Sequence, residues 1–319
     1  MPKQIDDWAG RVRAGEVRAI SRAITAIENH DPAADHLLRS LFYSTGHAYL
    51  IGITGAPGTG KSTLVDRLAA YYRGAGKTVG IIAVDPTSPF TGGAILGDRI
   101  RMQGHASDEG IFIRSMATRG FLGGLARATA DVSLLLDAAG KDIILIETVG
   151  VGQDEVDIVR LADCTLVVLV PGLGDDVQNM KAGLMEIADL FVINKADREG
   201  AERLEQQVVA MLHLAPDHLG WQPQPMRTIA TENKGIAELA AAIDRFRQAT
   251  EALPEYRGRE TDHWRRRLIE MLESRMLDRL LGTRESEERL TQMAREISER
   301  KRDPYAAVEE ILSAEGARA

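Results

Sequence analysis

Ile51-Gly52-Ile53-Thr54-Gly55-Ala56-Pro57-Gly58-Thr59-Gly60-Lys61-Ser62-Thr63 decides the fold. The stretch opens as a short apolar strand. Gly55 to Ser62 fit G-x-x-x-x-G-K-[ST], and Leu64 to Tyr72 continue with helical spacing. Strand, glycine-rich loop and helix together form a phosphate cradle. Glycines let backbone N–H groups converge on phosphate oxygens without Cβ clashes. The helix start adds its positive dipole end. Gly55, Pro57, Gly58, Thr59, Gly60, Lys61, Ser62 and Thr63 are the nucleotide-binding candidates. Lys61 is placed to neutralise the β- and γ-phosphates, and the Ser62 hydroxyl to ligate Mg²⁺.

Outward from this loop, short β-branched runs alternate with helical segments. The runs are Tyr49–Ile53, Val79–Val84, Ile111–Ile113, Ile143–Ile146, Leu166–Val170, Phe191–Ile193 and Met226–Ile229. Several are apolar at consecutive positions, as strands covered on both faces are. The alternation predicts an α/β phosphate-loop NTPase, three-layered around a mostly parallel sheet. Residues 1–46 read as a helical N-terminal segment, with a break at Gly15 and a short second helix near Asp35 to Tyr43. Residues 47–252 read as the nucleotide domain. Residues 253–319 read as a helical C-terminal arm, with Leu253–Gly258 as a linker and helices over Thr261–Leu281, Glu285–Arg302 and Pro304–Ala314.

A second motif follows a later strand, at Asn194-Lys195-Ala196-Asp197. Beside a phosphate loop, N-K-x-D selects guanine. The Asp197 carboxylate is suited to accept from guanine N1–H and the 2-amino group. Adenine offers an acceptor at N1 and no 2-amino group, so the same carboxylate rejects it. The Lys195 stem is placed to cover the base, and Asn194 to tie this loop to the phosphate loop. Ala230 and Thr231, after the last strand, stand where backbone contact to guanine O6 is expected. Ile143–Ile146 runs into Glu147-Thr148-Val149-Gly150, the place of a D-x-x-G sensor. Glu147 keeps the carboxylate for the metal, and Gly150 supplies an N–H for the γ-phosphate. Asp85 and Asp98 are further Mg²⁺ candidates, because magnesium takes oxygen ligands and few carboxylates.

Composition narrows the classes. Among 319 residues, 39 basic and 47 acidic side chains give a net charge of −8, which argues against nucleic acid as a partner. Cys164 is the one cysteine, which excludes a disulfide framework within the chain. No apolar run approaches the ~20 residues of a membrane span. A cytoplasmic protein without a membrane partner is the expectation.

These motifs, in order, with Val84-Asp85-Pro86-Thr87-Ser88-Pro89, Gly97-Asp98-Arg99 and Glu147-Thr148-Val149-Gly150-Val151-Gly152-Gln153, carry a resemblance. The chain resembles the methylmalonyl-CoA mutase-associated GTPases, within the wider metallochaperone-type GTPases, over nearly its whole length. The resemblance implies a homodimer joined by the C-terminal helices and a partner that is an adenosylcobalamin-dependent methylmalonyl-CoA mutase. It implies that GTP binding and hydrolysis to GDP gate cobalamin delivery and protect or reactivate the mutase. It also implies that the loop after the Leu166–Val170 strand is a switch toward the mutase, with Asp175, Gln178 and Lys181 as its candidates. Two alternatives attach to related chains: a nucleotide-dependent kinase linked to amino-acid transport, and a nickel or zinc metallochaperone. The scattered histidines and lone cysteine speak against the second.

Hydrolysis needs an oriented water, and Gln153 is the nearest glutamine after the sensor. Arg99, Arg101, Arg114 and Arg119 fall in segments that read as loops and are candidate charge donors. None is marked out as an arginine finger, so slow intrinsic turnover, accelerated by a partner, is expected.

Overall fold

Seven strands form one parallel sheet in the order β3-β2-β4-β1-β5-β6-β7. The structure is a computed structural model that describes residues 2–85, 108–117, 124–148, 161–172, 188–213, 221, 224–251 and 253–316. The strands are β1 Tyr49–Thr54, β2 Val79–Asp85, β3 Ile111–Ala117, β4 Ile143–Thr148, β5 Cys164–Leu169, β6 Leu190–Ile193 and β7 Pro225–Arg227. β1, β4, β5 and β6 are buried along their length except at Leu50, which explains their unbroken apolar runs.

Numbered among the described residues, the helices of the first compact unit, Met1–Leu253, are α1 Pro2–Arg13, α2 Val17–Glu28, α3 Pro32–Leu41, α4 Lys61–Gly74, α5 Gly124–Ala138, α6 Ala201–Leu212 and α7 Ile236–Glu251. The first three do not stand apart from the sheet. Ile20, Ile24, Leu37 and Leu41 share one core with Val132, Leu135 and Leu136 of α5 and with Ile144 and Ile146 of β4. Burying a side chain of this size stabilises by about 1.5–3 kcal/mol. Gly15 takes a left-handed φ of 74°, which ends the first helix as its sequence position suggests. The third helix starts earlier than periodicity indicates. Asp31 caps it by accepting from Ala33 N at 2.8 Å, and Pro32 occupies the first turn, where no N–H is required. Asp137 of α5, 7% exposed, accepts from the backbone of Gly46, His47 and Ala48 at 2.5, 3.2 and 3.0 Å, which fixes the approach to β1.

β1 lies at the centre, flanked by β4 and β5. The chain leaves it toward one edge first and later crosses to the other. In open parallel sheets the crevice at such a reversal, outside the carboxyl ends of the strands, is where ligands bind. The loop at 55–60 occupies that place. A second core lies on the same face of the sheet toward its other edge, where Val167, Phe191 and Ile193 pack with Leu204 and Val208 of α6. Cys164 opens β5 and is fully buried, and that burial pushes its thiol pKa well up.

The second unit, Pro254–Ala319, contains α8 Pro254–Leu281, α9 Arg284–Ser298 and α10 Pro304–Gly316. The expected linker at Leu253–Gly258 is not a linker: the helix begins at Pro254 and runs through Gly258. Proline is well suited to a first helical turn, and one interior glycine costs only ~1 kcal/mol. A reciprocal capping box between Thr283 and Ser286 starts the next helix. Among the described residues, no helix is long and apolar enough to cross a membrane.

Candidate functional site

β1 delivers the chain into the phosphate loop, and two glycines set the loop's shape. Gly55 has φ 146°, and a Cβ there would lie 2.3 Å from the Val168 carbonyl on β5. Gly60 has φ 91° and caps α4; a Cβ there would lie 2.5 Å from Asn194 Nδ2. Side chains at either position would push the loop off the sheet or off the N-K-x-D segment. Lys61 is 6% exposed, and its Nζ donates to the Gly55 carbonyl at 2.6 Å and the Ala56 carbonyl at 3.1 Å. The ammonium is therefore held inside the curl of the loop beside the helix N-terminus, an arrangement suited to anionic oxygens.

Ser62, one residue on, donates from Oγ to Glu147 Oε1 at 2.6 Å. Glu147 is 6% exposed at the carboxyl end of β4. The sequence separates the two by 85 residues; the β1–β4 pairing, with Ile53 opposite Glu147, brings them together. A hydroxyl and a carboxylate on adjacent elements form an all-oxygen donor pair. These residues fit Mg²⁺, which favours hard oxygen ligands and few carboxylates. β2 ends at Asp85 beside this end of β4, since Val84 pairs with Thr148.

Asn194 is the hub of the N-K-x-D side. Its Nδ2 donates to the Thr59 carbonyl at 2.8 Å. Its Oδ1 accepts from Thr228 Oγ1 at 3.1 Å and from Ala230 N at 3.2 Å. The residue is 2% exposed, so these bonds are made where an unsatisfied amide would cost 1–3 kcal/mol. Lys195 adopts a left-handed φ of 54° and reaches back so that its Nζ donates to the Gly58 carbonyl at 2.7 Å. Asp197 follows on the exposed side of the same turn. Phosphate loop, N-K-x-D segment and the turn at Ala230–Glu232 are thus one hydrogen-bonded assembly.

Thr228 was not among the sequence candidates. It stands in the run Met226–Ile229, but nothing in that run marks its hydroxyl as a partner of Asn194. Arg114 departs from expectation. It lies on β3 rather than in a loop, and it forms a two-pronged ion pair with Glu28 of α2. That pair joins the N-terminal helices to the sheet edge. Asp98, Gly150, Gln153, Asp175, Gln178 and Lys181 lie outside the described residues, as do Arg99, Arg101 and Arg119.

Comparison with known proteins decides the lineage. Residues 20–285 match the family described as methylmalonyl-CoA mutase-associated GTPase MeaB. The chain belongs to this GTPase family. A GTPase relative from Pyrococcus abyssi is 50% identical over 314 residues, spanning 97% of this chain and 96% of its own. The GTPase ArgK of Escherichia coli strain K12 is 38% identical over 273 residues, 82% of each chain. A solved structure named LAO/AO transport system kinase superposes with a TM-score of 0.73 at 26% identity, covering 100% of this chain and 99% of that one. This family member is a GTP-hydrolysing enzyme that binds guanine nucleotides.

Proposed function

We propose that this GTPase is the nucleotide-dependent chaperone of an adenosylcobalamin-dependent methylmalonyl-CoA mutase, gating cobalamin delivery and protecting or reactivating the mutase, and that it works in the cytoplasm. The family's description supports the partner. The observation that carries the nucleotide half is Asn194, which binds the phosphate loop through Thr59 and the neighbouring turn through Ala230. A site wired in this way can transmit what happens at the phosphates to the loops around the base.

In this reading Lys61 and the loop N–H groups neutralise charge that develops on the transferred phosphoryl group. Ser62 and Glu147 would hold Mg²⁺, with Asp85 and Asp98 completing its surroundings; the ion would supply charge neutralisation at the phosphates. Asp197, Lys195 and the Ala230–Thr231 backbone select and cover guanine. Gly150 meets the γ-phosphate and Gln153 orients the attacking water. Asp175, Gln178 and Lys181 form the switch that meets the mutase.

Hydrolysis of GTP measured with and without an adenosylcobalamin-dependent methylmalonyl-CoA mutase tests the proposal, with ATP in parallel. The mutase is expected to raise GTP turnover about tenfold or more, which corresponds to about 1.4 kcal/mol of barrier, and ATP to stay inert. Turnover that ignores the mutase sinks the chaperone reading. Phosphate recovered on a protein instead of in solution favours the kinase reading, which the name of the solved relative keeps in view.

We further propose that the second unit joins two copies of the chain. Leu268, Leu272 and Met276 of α8 follow one another at four-residue spacing and are 57%, 61% and 57% exposed. Apolar side chains in such a row are suited to a self-complementary two-fold interface. Light scattering is expected to give twice the chain mass, and Leu272→Glu to give a monomer. A wild-type monomer at micromolar concentration removes the idea.

A further inference from the structure

Arg67 belongs to no motif. It lies six residues beyond Lys61 on α4, about 9 Å along the helix axis. Its Nε donates to the Ala230 carbonyl at 3.2 Å. The N–H of the same residue, Ala230, donates to Asn194 Oδ1. Both backbone polar groups of one buried residue are therefore held by side chains from two different elements, one carrying the phosphate loop and one carrying N-K-x-D.

The segment held in this way is stiff. Glu232 N donates to the Ile229 carbonyl at 2.9 Å and Asn233 N to the Ala230 carbonyl at 3.2 Å. Ile229 and Lys234 exchange both backbone bonds, at 3.0 and 3.2 Å. Asn233 completes the reversal with a left-handed φ of 57°. A closed turn of this kind moves as a body. Held by Asn194 alone it could pivot about one point; a second grip, on the opposite polar group, removes that freedom. The grip comes from the helix whose first turn binds phosphate, so the turn's position is referred to the phosphate loop without passing through N-K-x-D.

We infer that Arg67 is a positioning residue for guanine selection: its bond to the Ala230 carbonyl sets the place of the 230–232 turn relative to the phosphate-binding helix. The inference rests on the proposal that this turn reads guanine O6.

Two substitutions separate the hydrogen bond from the bulk and the charge. Arg67→Met keeps an unbranched side chain of similar reach and offers no donor. Arg67→Gln places an amide N–H as many bonds from the backbone as the arginine Nε, without the charge. Affinities for GDP, 6-thio-GDP and IDP are measured by competition against a fluorescent GDP analogue. Sulfur at position 6 is a weaker, longer acceptor, so 6-thio-GDP probes the O6 contact. IDP lacks the 2-amino group and probes Asp197.

The wild type is expected to prefer GDP over 6-thio-GDP. Arg67→Met is expected to narrow that preference roughly fivefold, the scale of one weakened hydrogen bond, and to leave the GDP-to-IDP ratio in place. Arg67→Gln is expected to restore it. A wild-type preference retained in Arg67→Met overturns the inference and leaves the O6 reading intact. A wild type indifferent to 6-thio-GDP overturns the O6 reading, and the inference with it. Equal loss of all three nucleotides in both variants, with a lowered melting temperature, assigns Arg67 to packing and also overturns the inference.

Discussion

Asp197→Asn is expected to shift the site from guanine toward xanthine nucleotides. In the proposed site the Asp197 carboxylate accepts two hydrogen bonds from guanine, N1–H and the 2-amino group. Asparagine offers one acceptor and one donor. Against guanine its NH₂ meets the 2-amino group, donor against donor. Against xanthine the same NH₂ meets the O2 carbonyl. Sites built on such pairing discriminate by up to about 10⁴–10⁵, so a loss of GTP affinity of roughly 10²-fold or more is expected, with a matching gain for XTP. The backbone around the position gives the substitution a stable stage. Ala196 N donates to the Thr228 carbonyl at 3.1 Å and Arg198 N to the Lys195 carbonyl at 3.0 Å. Asp197 itself is exposed, so the melting temperature is expected to stay put, as for most surface substitutions. Competition between GDP and XDP checks the result. Unchanged GDP affinity would remove Asp197 from base recognition.

Lys61→Met is expected to cost about 10³-fold in hydrolysis rate, the scale of a lost charge donor aimed at a transition state. Its effect on folding is expected to be small, for opposing reasons. The substitution takes a nearly fully buried ammonium out of the protein, which removes a desolvation cost. It also strips a donor from the carbonyls of Gly55 and Ala56, which costs about 1 kcal/mol for each. Single-turnover GTP hydrolysis alongside a thermal melt separates the two consequences. Hydrolysis within tenfold of wild type would mean that another cation does the work assigned to Lys61.

The sheet was legible because β1, β4, β5 and β6 are buried on both faces, which leaves short continuous apolar runs such as Ile143–Ile146 and Leu166–Val170 in the sequence. The C-terminal helix was cut short at Thr261 because Pro254 and Gly258 look like punctuation. Proline in a first turn loses no hydrogen bond, and the helix simply passes through the glycine. β3 was read three residues long and extends to Ala117, since Arg114 and Ser115 interrupt the apolar run while the ladder to β2 continues. At the site, each motif announced its own residues. The contacts between motifs were not announced: Ser62 with Glu147 follows from strand order, and Thr228 with Asn194 from how β6 and β7 end side by side. Arg67 had no signal at all, because one arginine on an amphipathic helix looks like any other.

Cys164 gives this molecule a built-in clock. It is the chain's one cysteine, sits in a strand next to the central one and has no exposed surface. A thiol-specific reagent can reach it only when the sheet parts. The rate of labelling under native conditions therefore counts openings of the structure beneath the nucleotide. Because bound nucleotide favours the closed form by mass action, the same rate, read at increasing GDP, converts sulfur chemistry into a measure of how tightly the ligand fastens the sheet.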